Sequence, residues 1–229
     1  MSGINIGGWI QMWEKNATPF HSSDVNMFLK RFYEKWIGDK QNLKIFVPLC
    51  GKSVDMRWLL DQGHRVIGLE ASSIAVADFM EENNFEHSTE AYASGEVVKT
   101  KDGRCVIYKG DLFEFNSDIE GGFDAIWDRG SLVAIGPDQR EKYIQLMKSL
   151  LAPHGQYLIE TYYNDDPTYQ GPPFKIDPEC LCSLLDGCFT SEVLLEKNNL
   201  DPEIARYCGP LSKRKRLITL CIFLVNHNS

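Results

Sequence analysis

The chain has 229 residues, 43% of them hydrophobic and 24% charged, with a net charge of −8. That length fits one domain with a sizeable core. The acidic balance argues against a nucleic-acid or anionic-membrane partner, because both favour a basic face.

The seven cysteines are odd in number and irregularly spaced, with no Cys-x-x-Cys pair. The five histidines stand away from cysteine pairs, so a metal site is not expected. MSGINIGGW lacks the apolar core of a signal peptide, and no run approaches a membrane span. These features predict a cytoplasmic chain with free thiols.

In chain order, Trp9 and Trp13 stand i, i+4, as on one helix face. An apolar stripe at positions 25, 28, 29, 32, 33 and 36 predicts a helix within 21–36, capped by Ser22 or Ser23. Strands are expected at 43–47, 65–69, 104–108, 123–127, 156–162 and 217–225. Helices are expected at 53–62, 73–82 and 138–151, the last stopped by Pro153 and Gly155. Asp102-Gly103 within VVKTKDGRCVIYKG marks a hairpin turn, and Asp177-Pro178 opens a short helix. FTSEVLLEK and RLITLCIFLV read as an antiparallel strand pair. Lys213-Arg214-Lys215-Arg216 reads as a solvated strand entrance. The alternation predicts an α/β fold: a doubly wound, mostly parallel, seven-stranded sheet of Rossmann-like type, closed by that antiparallel pair.

Ligands of such sheets bind beyond the carboxyl ends of the strands. Gly51-Lys52-Ser53 resembles the tail of a triphosphate loop, but that loop needs a first glycine where Phe46 stands. Pro48 also removes a backbone donor from any phosphate nest. A dinucleotide loop would need three glycines, and Gly51 stands alone. Lys52 is then a solvated first-turn residue and Ser53 a helix cap. Cys50 has no histidine base placed beside it, which disfavours a nucleophile role.

A cofactor with an adenosine and an amino acid, but no phosphate, needs less. It needs one glycine turn, an acid at the second strand end for the ribose hydroxyls, and a polar group at the third for adenine. Gly51, Glu70 and Asp111 stand in that order, with Glu70 19 residues after Gly51. This pattern describes S-adenosylmethionine.

FVPLCGKSVDMRWLLDQGHRVIGLEAS, FDAIWDRGSLVAI, DPTYQGPPF and the entry WIQMWEKNATPFH resemble the thiopurine S-methyltransferase family, a group of class I S-adenosylmethionine-dependent methyltransferases. The resemblance runs from Trp9 to Phe174 and thins beyond. It implies one methyltransferase domain over 1–229, with 1–36 covering the cofactor. It implies that Trp9 and Trp13 lie over the cofactor, with Phe20 between cofactor and acceptor. Leu49 would contribute a backbone contact, Glu70 the ribose contact with Ala71 beside the adenine, and Asp111 with Leu112 the adenine contact. Arg129 would lie near both ligands, and Arg206 is the nearest candidate for an arginine at the acceptor.

Each residue also has a plain structural reading. Trp9 and Trp13 would be a packing face, Phe20 a helix staple, Arg129 a partner of Asp128 or another carboxylate, and 171–174 a rigid turn. The implied reaction is methyl transfer to a small aromatic or heterocyclic thiol by a monomer, without metal. Trp9, Trp13, Phe20, Tyr162, Tyr163 and Phe174 would surround a flat acceptor. Relatives acting on inorganic selenium, tellurium or halide, and a non-catalytic nucleotide binder of the same fold, are the alternatives. No residue is singled out as catalytic.

Overall fold

The first parallel strand, β1 (Lys44–Val47), carries Ile45, Phe46 and Val47, all buried. Such a run suits a central strand covered on both faces. It pairs in parallel with β2 (Arg65–Glu70) on one side and β6 (Phe123–Arg129) on the other. β5 (Cys105–Lys109) continues outward from β2, and β7 (Leu151–Asn164) from β6, both in parallel. β4 (Gly95–Thr100) and β3 (His87–Tyr92) extend the β5 edge antiparallel. β9 (Ile218–His227) and β8 (Phe189–Asn198) extend the other edge antiparallel. The order is β3-β4-β5-β2-β1-β6-β7-β9-β8. The computed structural model describes residues 5–164, 166–187, 189–208 and 218–227. The basic run 213–216 lies outside them.

Among the described residues the sheet therefore has nine strands, where seven were predicted. The expected hairpin is β4–β5, and β3 adds a further strand beyond it. His87-Ser88-Thr89-Glu90-Ala91-Tyr92 is almost wholly exposed. An edge strand with no buried face leaves no apolar alternation to read.

Buried side chains form two clusters, one on each face of the sheet. One contains α2 (Met27–Ile37), α3 (Val54–Asp61), α4 (Ser73–Glu82) and Ile204 of α7 (Pro202–Cys208). The other contains α5 (Arg140–Leu150) and α6 (Pro178–Leu185). Alternation assigns the faces: Phe46 joins the second cluster, Ile45 and Val47 the first.

The local signals mostly hold. Ser53 caps α3, Ser72 caps α4 and Asp177 caps α6. The cap of α2 is Asn26, whose Oδ1 accepts from the Phe28 and Leu29 amides, and not Ser22 or Ser23. Ser22 instead closes a turn with Asp24. α5 stops at Leu150, and Pro153 and Gly155 fall inside β7. The β6–β7 register slips between Phe123 and Ala125, and that irregularity accommodates the proline.

His64, fully buried between α3 and β2, supplies a pH test of this core. Its Nδ1 accepts from the Leu43 amide at 3.2 Å, so the proton sits on Nε2, 2.5 Å from the Tyr33 hydroxyl. Burial holds its pKa below the ordinary histidine value, with Asp124 opposing. The unfolded chain then binds a proton that the folded chain refuses. Stability should rise with pH through the range below about 6.5 and be lost as pH falls. Urea unfolding at pH 5.5 and 7.5 should show this slope, and His64→Gln should flatten it.

Candidate cofactor and acceptor site

The order of strands reverses at β1, so a crevice opens beyond the carboxyl ends of β1 and β6. Its floor is the turn Pro48-Leu49-Cys50-Gly51. Leu49 and Gly51 both have positive φ, 44° and 51°. The Cys50 amide donates to the Leu69 carbonyl at 3.0 Å and ties the turn to β2. Gly51 is required twice over. Its left-handed backbone disfavours a side chain, and an added Cβ would stand 2.9 Å from Cζ2 of Trp13.

Glu70 ends β2 and is buried. Its Oε2 accepts the Gly51 amide at 2.9 Å, and its Oε1 accepts the Ser72 amide at 2.7 Å. Burial pushes its carboxyl above the usual range, against the pull of the Ser72, Gly51 and Ala71 amides. Each carboxylate oxygen retains a lone pair for a further donor. Ala71 follows, partly buried. Asp111 follows the end of β5 by two residues and accepts from the Phe113 amide at 2.8 Å, capping a short 3-10 turn with buried Leu112.

α1 (Ile6–Glu14) places Trp9 and Trp13 on one side, and Trp13 is only 8% exposed. Both rings meet Phe20 edge-on, at 5.5 Å and 5.7 Å between centroids. The Phe20 carbonyl accepts from Nη1 of Arg129 at 2.8 Å. His21 lies beside Trp13, its pKa lowered by burial and then by the Lys52 charge. The N-terminal segment, the Gly51 turn and Arg129 are thus joined by direct contacts.

Arg129 and Asp128 point to opposite faces of β6. Asp128 is buried beneath the sheet, accepting the Ser131 and Leu132 amides and the Tyr143 and Tyr157 hydroxyls, both at 2.6 Å. Arg129 faces the crevice beside Glu160, its cross-strand neighbour on β7, with Nε 3.9 Å from Oε1. Burial opposes its charge, yet Tyr207 and Glu160 hold its pKa above the ordinary arginine value. Burial raises Glu160, and Arg129 lowers it less. Buried Asp55 accepts the Asn26 amide and the Trp127 indole N–H.

Other expected residues lie elsewhere. Arg206 is exposed on α7, while the adjacent Tyr207 reaches Glu160. Lys52 is not simply solvated. Asp78 and Glu82, one turn apart on α4, hold its ammonium at 3.1 Å and 2.6 Å. Tyr162 bonds the Pro173 carbonyl and the Tyr169 hydroxyl, beside buried Phe174. Tyr163 turns to Glu196 on β8. The Cys50 thiol is buried and pushed well above its ordinary pKa, first by burial, then by Glu70. It is no nucleophile at neutral pH. Asn26 and Tyr207 escaped the sequence reading. In the sequence, Glu160 stands only as a polar residue late in the expected strand 156–162.

The fold is shared with a solved methyltransferase. The Burkholderia thailandensis 1,6-didemethyltoxoflavin-N1-methyltransferase, solved with 1,6-didemethyltoxoflavin and S-adenosylhomocysteine, superposes with a TM-score of 0.67. It covers 97% of this chain and 87% of that one at 17% identity, a likeness of fold alone. The architecture is therefore the Rossmann-like, doubly wound fold of that protein. A family model described as thiopurine S-methyltransferase matches residues 4–220. The "probable thiopurine S-methyltransferase" of Danio rerio is 38% identical over 194 residues, 83% of this chain and 84% of that protein. The thiopurine S-methyltransferase of Bos taurus is 35% identical over 176 residues, 76% and 72% of the two chains. The chain belongs to the thiopurine S-methyltransferase family.

Proposed function

We propose that this protein transfers the methyl group of S-adenosylmethionine to the sulfur of a small aromatic or heterocyclic thiol, thiopurines among them. The observation that carries the reading is the Glu70–Gly51–Trp13 arrangement. A buried carboxylate with spare lone pairs stands beside a turn with no phosphate cradle, and an indole covers that turn. Those features fit a nucleoside cofactor without phosphates.

Glu70 would hold the ribose, Ala71, Asp111 and Leu112 the adenine, and Leu49 and Gly51 the amino-acid end. Trp9, Trp13 and Phe20 would cover the cofactor. When bound, the cofactor would supply a methyl carbon activated by its sulfonium; an acceptor thiolate would attack that carbon in line, and S-adenosylhomocysteine would leave. The protein's own contribution is mainly alignment and exclusion of water. The edge-on cluster of Trp9, Trp13 and Phe20 supplies the dry cover. Arg129 supplies a fixed positive charge that favours an ionised acceptor. Acidic thiols ionise near neutral pH, so a dedicated base is unnecessary, and we assign none.

We also read residues 1–229 as one domain, acting as a cytoplasmic monomer without a metal. Cys50, Cys105, Cys180, Cys182 and Cys221 are free, in keeping with a reducing compartment. No helix among the described residues is long and apolar enough to cross a membrane.

Calorimetry with S-adenosylmethionine and S-adenosylhomocysteine should give binding to both. A methyl-transfer assay should then give S-methyl products from thiophenols and thiopurines, and little turnover of selenite or tellurite. Absence of binding sinks the cofactor assignment. Faster turnover of the inorganic acceptors sinks the thiol assignment.

A further inference from the structure

Three side chains on three separate elements form a closed hydrogen-bonded triangle beside Arg129. Nδ2 of Asn26 donates to Oε2 of Glu160 and to the Tyr207 hydroxyl, both at 2.7 Å. The Tyr207 hydroxyl donates to the Glu160 carboxylate, at 2.7 Å and 2.8 Å from its two oxygens. The orientation of the Asn26 amide is not free, because its Oδ1 caps α2. Its NH₂ must therefore face Glu160. The Asn26 backbone is also fixed, its own amide donating to Asp55 at 2.8 Å.

The triangle decides what Glu160 can do for Arg129. The Glu160 side chain is 11% exposed, and two neutral donors, Asn26 and Tyr207, already engage its oxygens. Arg129 accordingly stays at 3.9 Å from it, outside hydrogen-bond range, and does not form the bidentate pair that these groups otherwise favour. With 32% of its side chain exposed, Arg129 directs Nη1 to the Phe20 carbonyl and also hydrogen-bonds the Tyr207 hydroxyl. Phe28, edge-on to Tyr207 at 5.0 Å, holds the phenol in place.

We infer that Tyr207 is a positioning residue for the acceptor: bonded to Glu160 on one side and to Arg129 on the other, it holds the guanidinium off the carboxylate and toward an anionic acceptor. This rests on the reading of Arg129 as an acceptor-facing cation. Tyr207, not the adjacent Arg206, is then the C-terminal contribution to specificity. Loss of the hydroxyl frees Glu160 to draw Arg129 across the 3.9 Å gap and away from the acceptor.

The test is Tyr207→Phe in the full chain. The readouts are KM for an acidic thiophenol, that thiol's Kd for the S-adenosylhomocysteine complex, the Kd of S-adenosylhomocysteine itself, and Tm. The expected result is a roughly tenfold rise in acceptor KM and Kd, with cofactor affinity within about twofold and kcat little changed. Glu160→Gln added to Tyr207→Phe should restore acceptor affinity, because a neutral amide no longer attracts Arg129. An unchanged acceptor KM overturns the inference. So does a parallel loss of acceptor affinity, cofactor affinity and Tm that Glu160→Gln fails to rescue, which marks a merely structural hydroxyl. A wild-type protein that binds S-adenosylhomocysteine but no aromatic thiol overturns the thiol reading itself, and this inference with it.

Discussion

Glu70→Ala should weaken binding of both S-adenosylmethionine and S-adenosylhomocysteine by roughly 10²- to 10⁴-fold. Two ribose hydroxyls donating to a buried carboxylate contribute about 1.5–3 kcal/mol each, and each 1.4 kcal/mol is about tenfold in Kd. The same carboxylate accepts the Gly51 and Ser72 amides, so its removal also loosens the turn under Trp13. Glu70→Gln separates these effects. It keeps an acceptor oxygen and the side-chain shape, so it should retain more of the turn while losing the charge-assisted part of the binding. Calorimetry on both variants, with Tm measured in parallel, reads the two losses independently. Unchanged affinity in Glu70→Ala would remove the ribose assignment.

The same residue predicts a pH dependence. Burial raises the Glu70 carboxyl above the ordinary glutamate value. Ribose hydroxyls donate to the ionised form and favour it. Affinity should therefore increase as pH rises through the raised range of the free protein, and fall as acid protonates the group. Glu70→Gln should abolish that dependence.

Asp128→Ala should cost about 4 kcal/mol or more of folding stability, the largest effect expected of any single substitution outside the ligand contacts. Asp128 is fully buried and accepts four donors, from the Ser131 and Leu132 amides and the Tyr143 and Tyr157 hydroxyls. Alanine leaves those donors without their acceptor, at about 1–3 kcal/mol each before relaxation. Losses of this size are uncommon and point to one mechanism, a buried polar network broken at its centre. The shift of the urea midpoint measures it. Tyr143→Phe and Tyr157→Phe, which each remove one donor and leave the acceptor, should cost far less. A loss under about 1 kcal/mol for Asp128→Ala would show that the network does not hold β6, β7 and α5 together.

These two carboxylates also divide what could be read in advance from what could not. The Glu70 position followed from strand spacing and the missing phosphate glycines, because cofactor loops depend on local backbone geometry. The sequence leaves the partner of Arg129 open, Asp128 or another carboxylate. Adjacent strand residues point to opposite faces, so the true partner of Arg129 had to come from the neighbouring strand. That partner is Glu160, and the pairing depends on a β6–β7 register that contains an irregularity. Lys52 shows the same limit: its two carboxylates lie on α4, distant in sequence and adjacent in space.

The sequence by itself determined the alternation of strands and helices, the helix starts at Ser53 and Asp177, and the phosphate-free turn at Gly51. All of these rest on contacts within a few residues, where side-chain chemistry and backbone geometry act directly. The tertiary structure alone decided the edge strand β3, the Asn26 cap with its amide aimed at Glu160, and the contact of Tyr207, not Arg206, with Glu160. Consecutive residues on a helix differ by about 100° in direction, and only the packed sheet beneath decides which of them faces the site.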